Sequence, residues 1–329
     1  MSVFGKIARL PKKLDGIIAT NLQPEYGVSP RKIRRKMVFA KAFCGMDYML
    51  FFRYHCERSS LRQITQRVLF NEQYKLWTRI NGADSSIVLD DKYKAYLHFK
   101  EFYRRDVVFV NSDGGREEFL SFCHSHPRFI VKPLSRACGE GIQLIDTNED
   151  SFSVDDYLNL NPDGFVAEEL IKQDEALSQL HPESVNTLRI NTVNYGSSIE
   201  VIWPCLRMGR GKSVVDNAGA GGIFGAIDTA TGLITSVSDE HNHMFTKHPD
   251  TGIPLIGFKV PKWEEACEMA KHLAELIPDC RFVGWDLALT DNGWIMVEGN
   301  HNPYLIYQIA AGKGIRKEFN RMKRRLLKK

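Results

Sequence analysis

The sequence lacks long hydrophobic runs. In its 329 residues no apolar stretch approaches the roughly 20 residues that a membrane-spanning helix needs. The first residues, MSVFGKIARLPKKLDG, hold a broken apolar stretch and no small-residue cleavage site, so a secretory signal is not expected. With 43% apolar and 26% charged residues, the composition is that of an ordinary globular protein. Together these features predict a folded, cytoplasmic protein.

Cysteine is sparse as well. The seven cysteines are odd in number and scattered, and no two of them form a CxxC pair. The sequence therefore predicts neither a disulfide framework nor a zinc knuckle. Cysteines placed in this way fit a role as small core residues.

Acidic residues are scarce at both ends of the chain. Residues 1–80 hold 16 Lys and Arg against 5 Asp and Glu, and residues 311–329 hold 9 against 1. Residues 81–310 reverse the balance with 19 against 34, so the net charge of +4 hides an acidic body between two basic ends. An acidic body argues against a nucleic-acid channel, so no nucleic-acid partner is expected. It suits a site where carboxylates hold metal ions.

Turn-forming residues are rare after Pro30. Between residues 30 and 80 the one glycine is Gly45, and apolar residues recur at steps of three and four, which predicts helices. Further helices are predicted at KYKAYLHFKEFY, which follows Asp90 and Asp91 as candidate caps, at GREEFLSFCHSH and at KWEEACEMAKHLAELI. Strands are predicted at RDVVFV, PRFIVKPL, IQLID, GFVAEELIK (residues 164–172), TLRINTVNY, SIEVIWPCLRM, GGIFGAID, RFVGWDLAL and WIMVEGN. This order predicts the α+β class with antiparallel sheets.

A glycine-bearing loop connects two of the predicted strands. Lys132 lies near the end of the first strand, and residues 135–141 follow before the chain returns as IQLID. Glycines let backbone N–H groups approach phosphate oxygens, and a lysine adds a positive charge. The loop is neither a Walker motif nor a Rossmann fingerprint. Taken alone, it is more simply explained as a hairpin turn beside a surface lysine.

Three oxygen-bearing side chains fall on two consecutive strands near the C-terminus. Glu298 and Asn300 are two residues apart and so face one side of a strand, and Asp286 lies on the preceding strand across a turn at residues 291–293. A hairpin would bring all three to one face, and Mg²⁺ prefers such oxygen ligands. The alternative is a solvated strand face. The apolar surroundings disfavour it, because a buried carboxylate pair without a cation is costly.

Two other segments could contact a ligand. The apolar strand that ends at Glu168 and Glu169 runs into an acidic loop, and could offer backbone groups to an adenine and a carboxylate to a ribose. Taken alone, it is better explained as a strand that runs into an acidic loop. Arg189 and Arg207 lie in apolar strands and need anionic partners, for which a structural ion pair is the alternative. The glycine- and alanine-rich run after Asn217 suits a loop wrapped around a ligand.

The order of these segments resembles the ATP-grasp superfamily. A lysine with a glycine loop, an acidic strand end, an arginine strand, an Asn…Gly-Gly loop and a final Asp…Glu-x-Asn set follow one another over roughly residues 90–310. The detail is most similar to the sugar-transfer-associated ATP-grasp branch, which is related to the α-L-glutamate ligases. The resemblance implies an ATP-grasp fold, in which two α+β lobes clasp ATP between antiparallel sheets. In this chain a helical, basic N-terminal region would precede them.

The resemblance also implies roles for individual residues. Lys132, with Lys92 or Lys94 as a second lysine, would bind the α- and β-phosphates of ATP. The loop with Ser135, Gly139 and Gly141 would close over the triphosphate. The other implied contacts are Glu168, Glu169, Leu170 and Ile171 for adenine, Glu175 for ribose, Asp286, Glu298 and Asn300 for two Mg²⁺ ions, and Arg189, Arg207, Asn217, Gly221, Gly222 and His301 for the acceptor side.

The same resemblance divides the chain and exposes two departures. It implies a helical region at residues 1–88, a central lobe at 89–174, a C-terminal lobe at 175–311 and a basic tail at 312–329. The family's usual N-terminal domain is Rossmann-like, whereas the first 80 residues here are helical and basic. Gly284 stands where the family often has an arginine, two residues before the first metal ligand. Arg189 would then supply the missing charge.

The implied reaction joins a carboxylate to an amine or a thiol. A substrate carboxylate would attack the γ-phosphate of ATP, Lys132 and Arg189 would hold the transferred group, and an amine would displace phosphate from the acyl phosphate. His181, His301 or Asp216 could accept the proton of the amine, with a structural hydrogen-bonding role as the alternative for each. The partners would be small carboxylates and amines, some of them sugar-linked, in cell-surface polysaccharide biosynthesis.

Two other functions stay open at this stage. A phosphotransferase that passes the γ-phosphate to a hydroxyl would use the same ATP and metal sites. A non-catalytic nucleotide-binding scaffold would keep the fold without the turnover. The identity of the acceptor and the oligomeric state are not encoded in any motif.

The basic C-terminal segment suggests a contact with membranes. Ile315, Phe319, Met322 and Leu326 recur at helical steps within residues 312–329, which predicts a short cationic amphipathic helix that could rest on an anionic membrane surface. A solvated tail and a helix packed on the body are the alternatives. Peripheral contact of the basic termini with the inner face of the membrane is therefore one prediction.

Overall fold

A computed structural model describes residues 14–22, 27–111, 114–134, 141–149, 152–241 and 243–328. Residues 135–140 of the predicted glycine loop, among them Ser135 and Gly139, lie outside this part of the chain. Within it, the strands form two sheets, one of four strands and one of seven, and every ladder between neighbouring strands is antiparallel. The α+β class with antiparallel sheets is confirmed.

The smaller sheet has the strand order β1-β4-β2-β3. Its strands are β1 (Val107–Val110), β2 (Arg128–Pro133), β3 (Gln143–Asp146) and β4 (Phe165–Glu169). The larger sheet has the order β11-β10-β5-β6-β7-β8-β9. Its strands are β5 (Leu188–Asn194), β6 (Ile199–Met208), β7 (Ile223–Ile227), β8 (Ile234–Ser238), β9 (Met244–Phe245), β10 (Phe282–Thr290) and β11 (Gly293–Asn300). The strands β8 and β9 were missed from the sequence.

Helices dominate the N-terminal region, as predicted. Residues 14–21 are helical. They are followed by α1 (Pro30–Cys44), α2 (Tyr48–Arg53), α3 (Leu61–Ile64), α4 (Phe70–Ile80), α5 (Ala83–Asp90), α6 (Lys92–His98) and α7 (Lys100–Tyr103). Later in the chain come α8 (Arg116–Ser125), α9 (Val154–Leu160), α10 (Glu175–Ser178), α11 (Trp263–Glu275), α12 (Tyr307–Ala310) and α13 (Arg316–Leu326).

Local sequence explains where these helices begin and end. The Ser29 hydroxyl accepts a hydrogen bond from the Lys32 N–H, which caps α1 ahead of a proline at its first position. Gly45 then ends the helix with φ +68°, a conformation that glycine adopts without strain. At α6, Asp91 is the cap and its carboxylate accepts from two backbone N–H groups, whereas Asp90 is the last residue of the preceding helix.

The larger sheet is covered on both faces. On one face α11 packs against apolar residues of the central strands, such as Leu188, Leu206 and Trp285. On the other face the N-terminal helices pack against Cys205 and Phe224. The smaller sheet packs the residues of its outer face against α8 and α9. One face of the larger sheet is thus shared between helices and the candidate site.

The C-terminal helix α13 packs on the body of the protein. Its apolar residues, Ile315, Phe319, Met322 and Leu326, are each between 2% and 4% exposed. They lie in one core cluster with Trp77, and the Phe319 ring contacts the Trp77 ring at 5.9 Å. The apolar stripe predicted to meet a membrane is therefore used inside the fold. None of the described helices has the length and apolar character needed to cross a membrane.

Candidate active site

The two sheets meet at a buried arginine. The Arg105 guanidinium donates to Glu168 Oε2 through Nε at 2.9 Å and Nη2 at 2.7 Å. Its Nη1 also donates to the backbone oxygen of Met296 at 2.6 Å. Glu168 lies on β4 of the smaller sheet and Met296 on β11 of the larger one, so this side chain connects them. The charged side chains of the candidate site surround this junction.

Lys132 points to the same junction from β2. Its Nζ lies 2.7 Å from Glu168 Oε1, because β2 and β4 are paired strands of the smaller sheet. Burial opposes ionisation of Glu168, but the charges of Lys132 and Arg105 outweigh it and lower its pKa to about 2. The Glu168 side chain therefore holds the lysine in place. Its backbone lies in the ladders with β1 and β2.

Lys92 approaches the junction from the start of α6. Its Nζ donates to the backbone oxygen of Pro133, next to Lys132, at 3.1 Å. The pKa of Lys92 is lowered, chiefly by burial. The nearby Glu298 carboxylate opposes this shift, and the charge of Lys132 adds to it. The second candidate, Lys94, is exposed and lies 3.6 Å from Asp91. Lys92 is therefore the second lysine of the cluster.

The three predicted metal ligands converge on the larger sheet. In the β10–β11 hairpin Asp286 is directly opposite Glu298, and Asn300 is opposite Gly284. The Asn300 amide donates to Glu298 Oε1 at 3.0 Å. Burial and the neighbouring Asp286 carboxylate raise the pKa of Glu298, although its side chain is open to solvent on one side. Two carboxylates and an amide oxygen thus share one face of the sheet.

Asp286 is held by two arginines. Arg189, directly opposite it on β5, donates to both of its carboxylate oxygens, and Arg207 Nη1 donates to Oδ2 at 2.7 Å. Burial would raise the pKa of Asp286, but these two charges hold it well below its usual range. Both guanidinium side chains keep slight solvent contact, with 11% and 12% exposure. The arginines therefore lie at the edge of the carboxylate cluster.

The loop of residues 209–222, which precedes β7, contacts Arg207. The Arg207 guanidinium also donates to Asp216 Oδ1 at 2.8 Å and to Asn217 Oδ1. Gly222 ends this loop with its N–H bonded to the Asn217 backbone oxygen at 3.1 Å. A Cβ at position 222 would lie 2.9 Å from that oxygen, so glycine is required there. Gly221 has φ +88°, also in the glycine region.

Position 284 cannot carry a larger side chain. A Cβ there would lie 2.7 Å from Pro303 Cβ and 3.1 Å from Asn191 Oδ1. The arginine that the family often has at this point is therefore excluded by packing. Arg189 supplies a guanidinium next to Asp286 from the neighbouring strand instead.

The predicted adenine segment leaves the sheet early. The strand was predicted to extend to residue 172, but β4 ends at Glu169, and Gln173 then bridges to Thr290 at the end of β10. The Glu169 carboxylate accepts from the Asp106 N–H at 3.1 Å, away from Glu168. Leu170 and Ile171 are half-buried on this crossing, and Glu175 is exposed at the start of α10.

The three candidates for accepting a proton have different surroundings. His181 is buried, with Nδ1 2.8 Å from Ser184 Oγ and Nε2 3.0 Å from the Gly211 oxygen. Asp216 is also buried, and besides Arg207 it accepts from the Thr187 N–H at 2.9 Å. His301 is partly exposed, with Nε2 2.9 Å from Asp90 Oδ1. His301, next to Asn300, is the most accessible of the three.

Arg105 was missed from the sequence. It precedes a predicted strand in the run RRDVVFV, where a basic residue at a strand end is ordinary. Its partners are 63 and 191 residues away. A sequence signal for this contact would have required knowledge of the pairing between distant strands.

The sequence matches one family of known proteins over most of its length. A family model described as sugar-transfer associated ATP-grasp matches residues 70–324. Since the match spans most of the sequence, the protein belongs to this family, and the predicted resemblance is confirmed. A comparison with curated proteins finds no match.

Several solved structures are similar to this chain in outline. The ATP-grasp ligase PsnB, complexed with minimal precursor, Mg and ADP, is 12% identical with a TM-score of 0.47, and the match covers 83% of this chain and 70% of that one. A D-alanine–D-alanine ligase from Bacillus anthracis is 12% identical with a TM-score of 0.47, covering 78% and 75%. The corresponding ligase from Helicobacter pylori is 14% identical with a TM-score of 0.45, covering 77% and 68%.

Proposed function

We propose that this protein is an ATP- and Mg²⁺-dependent ligase that joins a carboxylate to an amine through an acyl phosphate. We further propose that it acts in the cytoplasm on sugar-linked substrates of cell-surface polysaccharide biosynthesis. The observation that carries the proposal is the convergence of Lys132 and Lys92 from one side with Asp286 and Glu298 from the other. Membership of the sugar-transfer associated ATP-grasp family supports the same reading.

The cluster has an excess of positive charge, which favours a nucleoside triphosphate that arrives with Mg²⁺. Five cationic side chains face four carboxylates, so each carboxylate has a cationic neighbour and one positive charge remains. The cations are Lys92, Lys132, Arg105, Arg189 and Arg207, and the carboxylates are Glu168, Asp216, Asp286 and Glu298. Incoming phosphate oxygens would compete for Lys132, near the end of β2, and for Lys92, in the first turn of α6. The backbone at Leu170 and Ile171 would contact adenine, and Glu175 the ribose.

The donor set of Asp286, Glu298 and Asn300 fits Mg²⁺. Carboxylate and amide oxygens are the ligands this ion takes, and two ions are expected. Glu298 lies beside a second carboxylate with its side chain open to solvent, and burial and that carboxylate raise its pKa, which a cation bound between the two would lower. Asp286 has about four lone-pair sites, of which the arginines take three. Bound there, the ions would neutralise charge on the β- and γ-phosphate oxygens.

Arg189 and Arg207 would act on the acceptor side. A substrate carboxylate oxygen would bond to the γ-phosphorus as the bond to ADP breaks, and the two guanidiniums would stabilise the transferred group. The amine nitrogen would then bond to the carbonyl carbon as phosphate leaves. His301 is the accessible group for the proton of the amine, and Asn217, Gly221 and Gly222 would border the acceptor.

The proposal is tested by phosphate release from ATP with Mg²⁺, against panels of amino acids and acidic sugars. Hydroxylamine is added in a parallel reaction, and a ligase is expected to yield an acyl hydroxamate with the active carboxylate. A phosphorylated product without hydroxamate would identify a phosphotransferase. Nucleotide binding without turnover on any panel would identify a scaffold.

Variants of the cluster test whether turnover depends on it. Glu298→Gln keeps the shape of the side chain but removes its charge, and is expected to lower phosphate release by roughly a hundredfold or more. Arg116→Met removes an exposed ion pair on the smaller sheet's outer helix and serves as the matched control with unchanged turnover. Equal activity of both variants would contradict the assignment of the site.

A further inference from the structure

The N-terminal helical layer carries a basic surface that the proposed reaction does not use. Residues 27–46 contain six lysines and arginines and no acidic residue. Two of them are engaged within the chain, because Arg34 pairs with Asp15 and Lys36 Nζ donates to the Glu57 backbone oxygen at 2.9 Å. The remaining four are exposed and form no ion pair with any described residue: Arg31, Lys32, Arg35 and Lys41.

Apolar side chains lie among these cations. Phe43 is 77% exposed, Met49 58% and Val38 46%. The Phe43 ring stacks on Phe39 at 4.9 Å, which leaves one face of the aromatic pair to solvent. Large apolar side chains that share one surface mark an interaction site, whereas scattered single ones do not.

The geometry of α1 places these residues together. Ile33, Met37 and Ala40 form its buried side. At 3.6 residues per turn, Arg31, Arg35 and Val38 lie on the opposite side, with Lys32 and Phe43 on one flank. Lys41 lies on the other flank, apart from Phe43. Met49 follows the turn at Gly45 in the first turn of α2. Apart from Lys41, the cations thus lie toward the start of α1, and the apolar side chains lie toward its end and the next turn.

We propose that this surface, made of Arg31, Lys32, Arg35, Val38, Phe43 and Met49, docks on a membrane that contains anionic lipids. The cations match lipid phosphates, and the one exposed acidic residue between Phe43 and Met49 is Asp47, whose carboxylate caps α2. Phe43, Met49 and Val38 gain from entering the acyl region, where no hydrogen-bonding partner is needed. A nucleic acid would use the cations but would leave the aliphatic side chains in water.

Docking in this way would orient the candidate site. The buried side of α1 belongs to one core cluster with Cys205 and Phe224 of β6 and β7. Phe224 is directly opposite Arg207 in the sheet. Docking would therefore turn the sheet face that carries Arg207 toward the bilayer. The inference stands on the surface alone and does not require the proposed reaction.

The test is flotation of the full chain with vesicles, without ATP. Vesicles of phosphatidylcholine with about 30% phosphatidylglycerol are compared with phosphatidylcholine alone, and binding is expected on the anionic vesicles and to weaken as salt is raised. The double variant Phe43→Ser/Met49→Ser and the triple variant Arg31→Gln/Lys32→Gln/Arg35→Gln are each expected to lower binding by roughly tenfold or more. All five side chains are exposed, so folding is expected to be retained and is checked by thermal unfolding.

Two matched controls locate the contact. Leu160→Ser removes a leucine that is 79% exposed on α9, and Lys317→Gln/Arg321→Gln/Arg324→Gln removes exposed cations from α13. Both are expected to bind vesicles like the unchanged chain. Loss of binding in the α13 variant alone, or equal binding of all variants, would overturn the proposal. The proposal would also be overturned if the parent chain did not bind vesicles and the Phe43→Ser/Met49→Ser variant changed from dimer to monomer, because the surface would then join two copies of the chain.

Discussion

Arg105 and Glu168 form a buried ion pair at the contact between the two sheets, with side chains 3% and 6% exposed. Because the same guanidinium also binds the backbone of β11 at Met296, the pair fixes the distance between Lys132 and the Glu298 strand. The spacing between Lys132 and the carboxylates thus depends on a residue that is expected to contact neither ATP nor metal.

Replacing Arg105 by methionine is expected to lower the free energy of unfolding by about 3–5 kcal/mol, because Glu168 would lose one of its two buried cations. Denaturant unfolding measures this loss. Arg116→Met, which breaks the exposed pair with Asp155, serves as the control and is expected to cost under about 1 kcal/mol. Losses of similar size in the two variants would contradict the role of Arg105 at the contact.

The Glu168 carboxylate makes stability depend on pH. Its pKa is lowered from 4.5 to about 2 in the folded protein, so its contribution is fully present above pH 4.5 and is lost as the pH falls toward 2. The loss amounts to about 3 kcal/mol by linkage. In Glu168→Gln that acid-dependent decrease is expected to be absent. Parallel unfolding curves for both proteins between pH 5 and pH 2 would show that Glu168 does not carry it.

The loop around Arg207 gives a matched pair of glycine variants. In Gly222→Ala the added Cβ meets the backbone oxygens of Asp216 and Asn217, which is expected to displace Asn217 from Arg207. We expect kcat/KM for ATP-dependent phosphate release to fall roughly tenfold or more. Gly219→Ala lies three residues away with no atom within 4 Å of the added Cβ, and should leave the kinetics unchanged. Equal kinetics in both variants would show that the loop conformation does not matter.

The C-terminal helix α13 is part of the core, so substitutions on its buried side are expected to destabilise the whole protein. Phe319→Ala removes a ring in contact with Trp77 and Trp203, and is expected to cost about 3–5 kcal/mol of stability. Arg321→Ala, on the exposed side of α13, is expected to cost under about 0.5 kcal/mol. A Phe319→Ala protein that unfolds like its parent would indicate that the helix is only loosely attached.

Local patterns in the sequence were sufficient for the architecture. The turn at residues 291–293 lies between two apolar strands, so the hairpin followed from local patterns. Strict alternation from that turn would pair Asp286 with Val297, and it is a bulge between Asp286 and Leu287 that places Asp286 opposite Glu298. The helices between residues 30 and 80 followed from the three- and four-residue spacing of apolar residues. Both signals act over short distances along the chain, where periodicity is informative.

Contacts between distant elements could not be predicted in this way. The amphipathic pattern of α13 was identified correctly, but periodicity gives the apolar stripe and not what covers it. The partners of Asp286 were likewise hidden, because Arg189 and Arg207 reach it through the order of strands β10, β5 and β6. The order of strands in a sheet depends on which arrangement of the whole sheet is most stable, and no single segment encodes that.

The crowding around Gly284 has a consequence for how the chain can vary. Since a side chain there would collide with Pro303, the guanidinium beside Asp286 has to come from another strand, and its presence depends on register. Inserting or deleting one residue early in β5 would turn Arg189 toward the apolar core and put Leu188 or Ile190 in its place. The length of β5 is therefore constrained as strictly as the identity of Arg189.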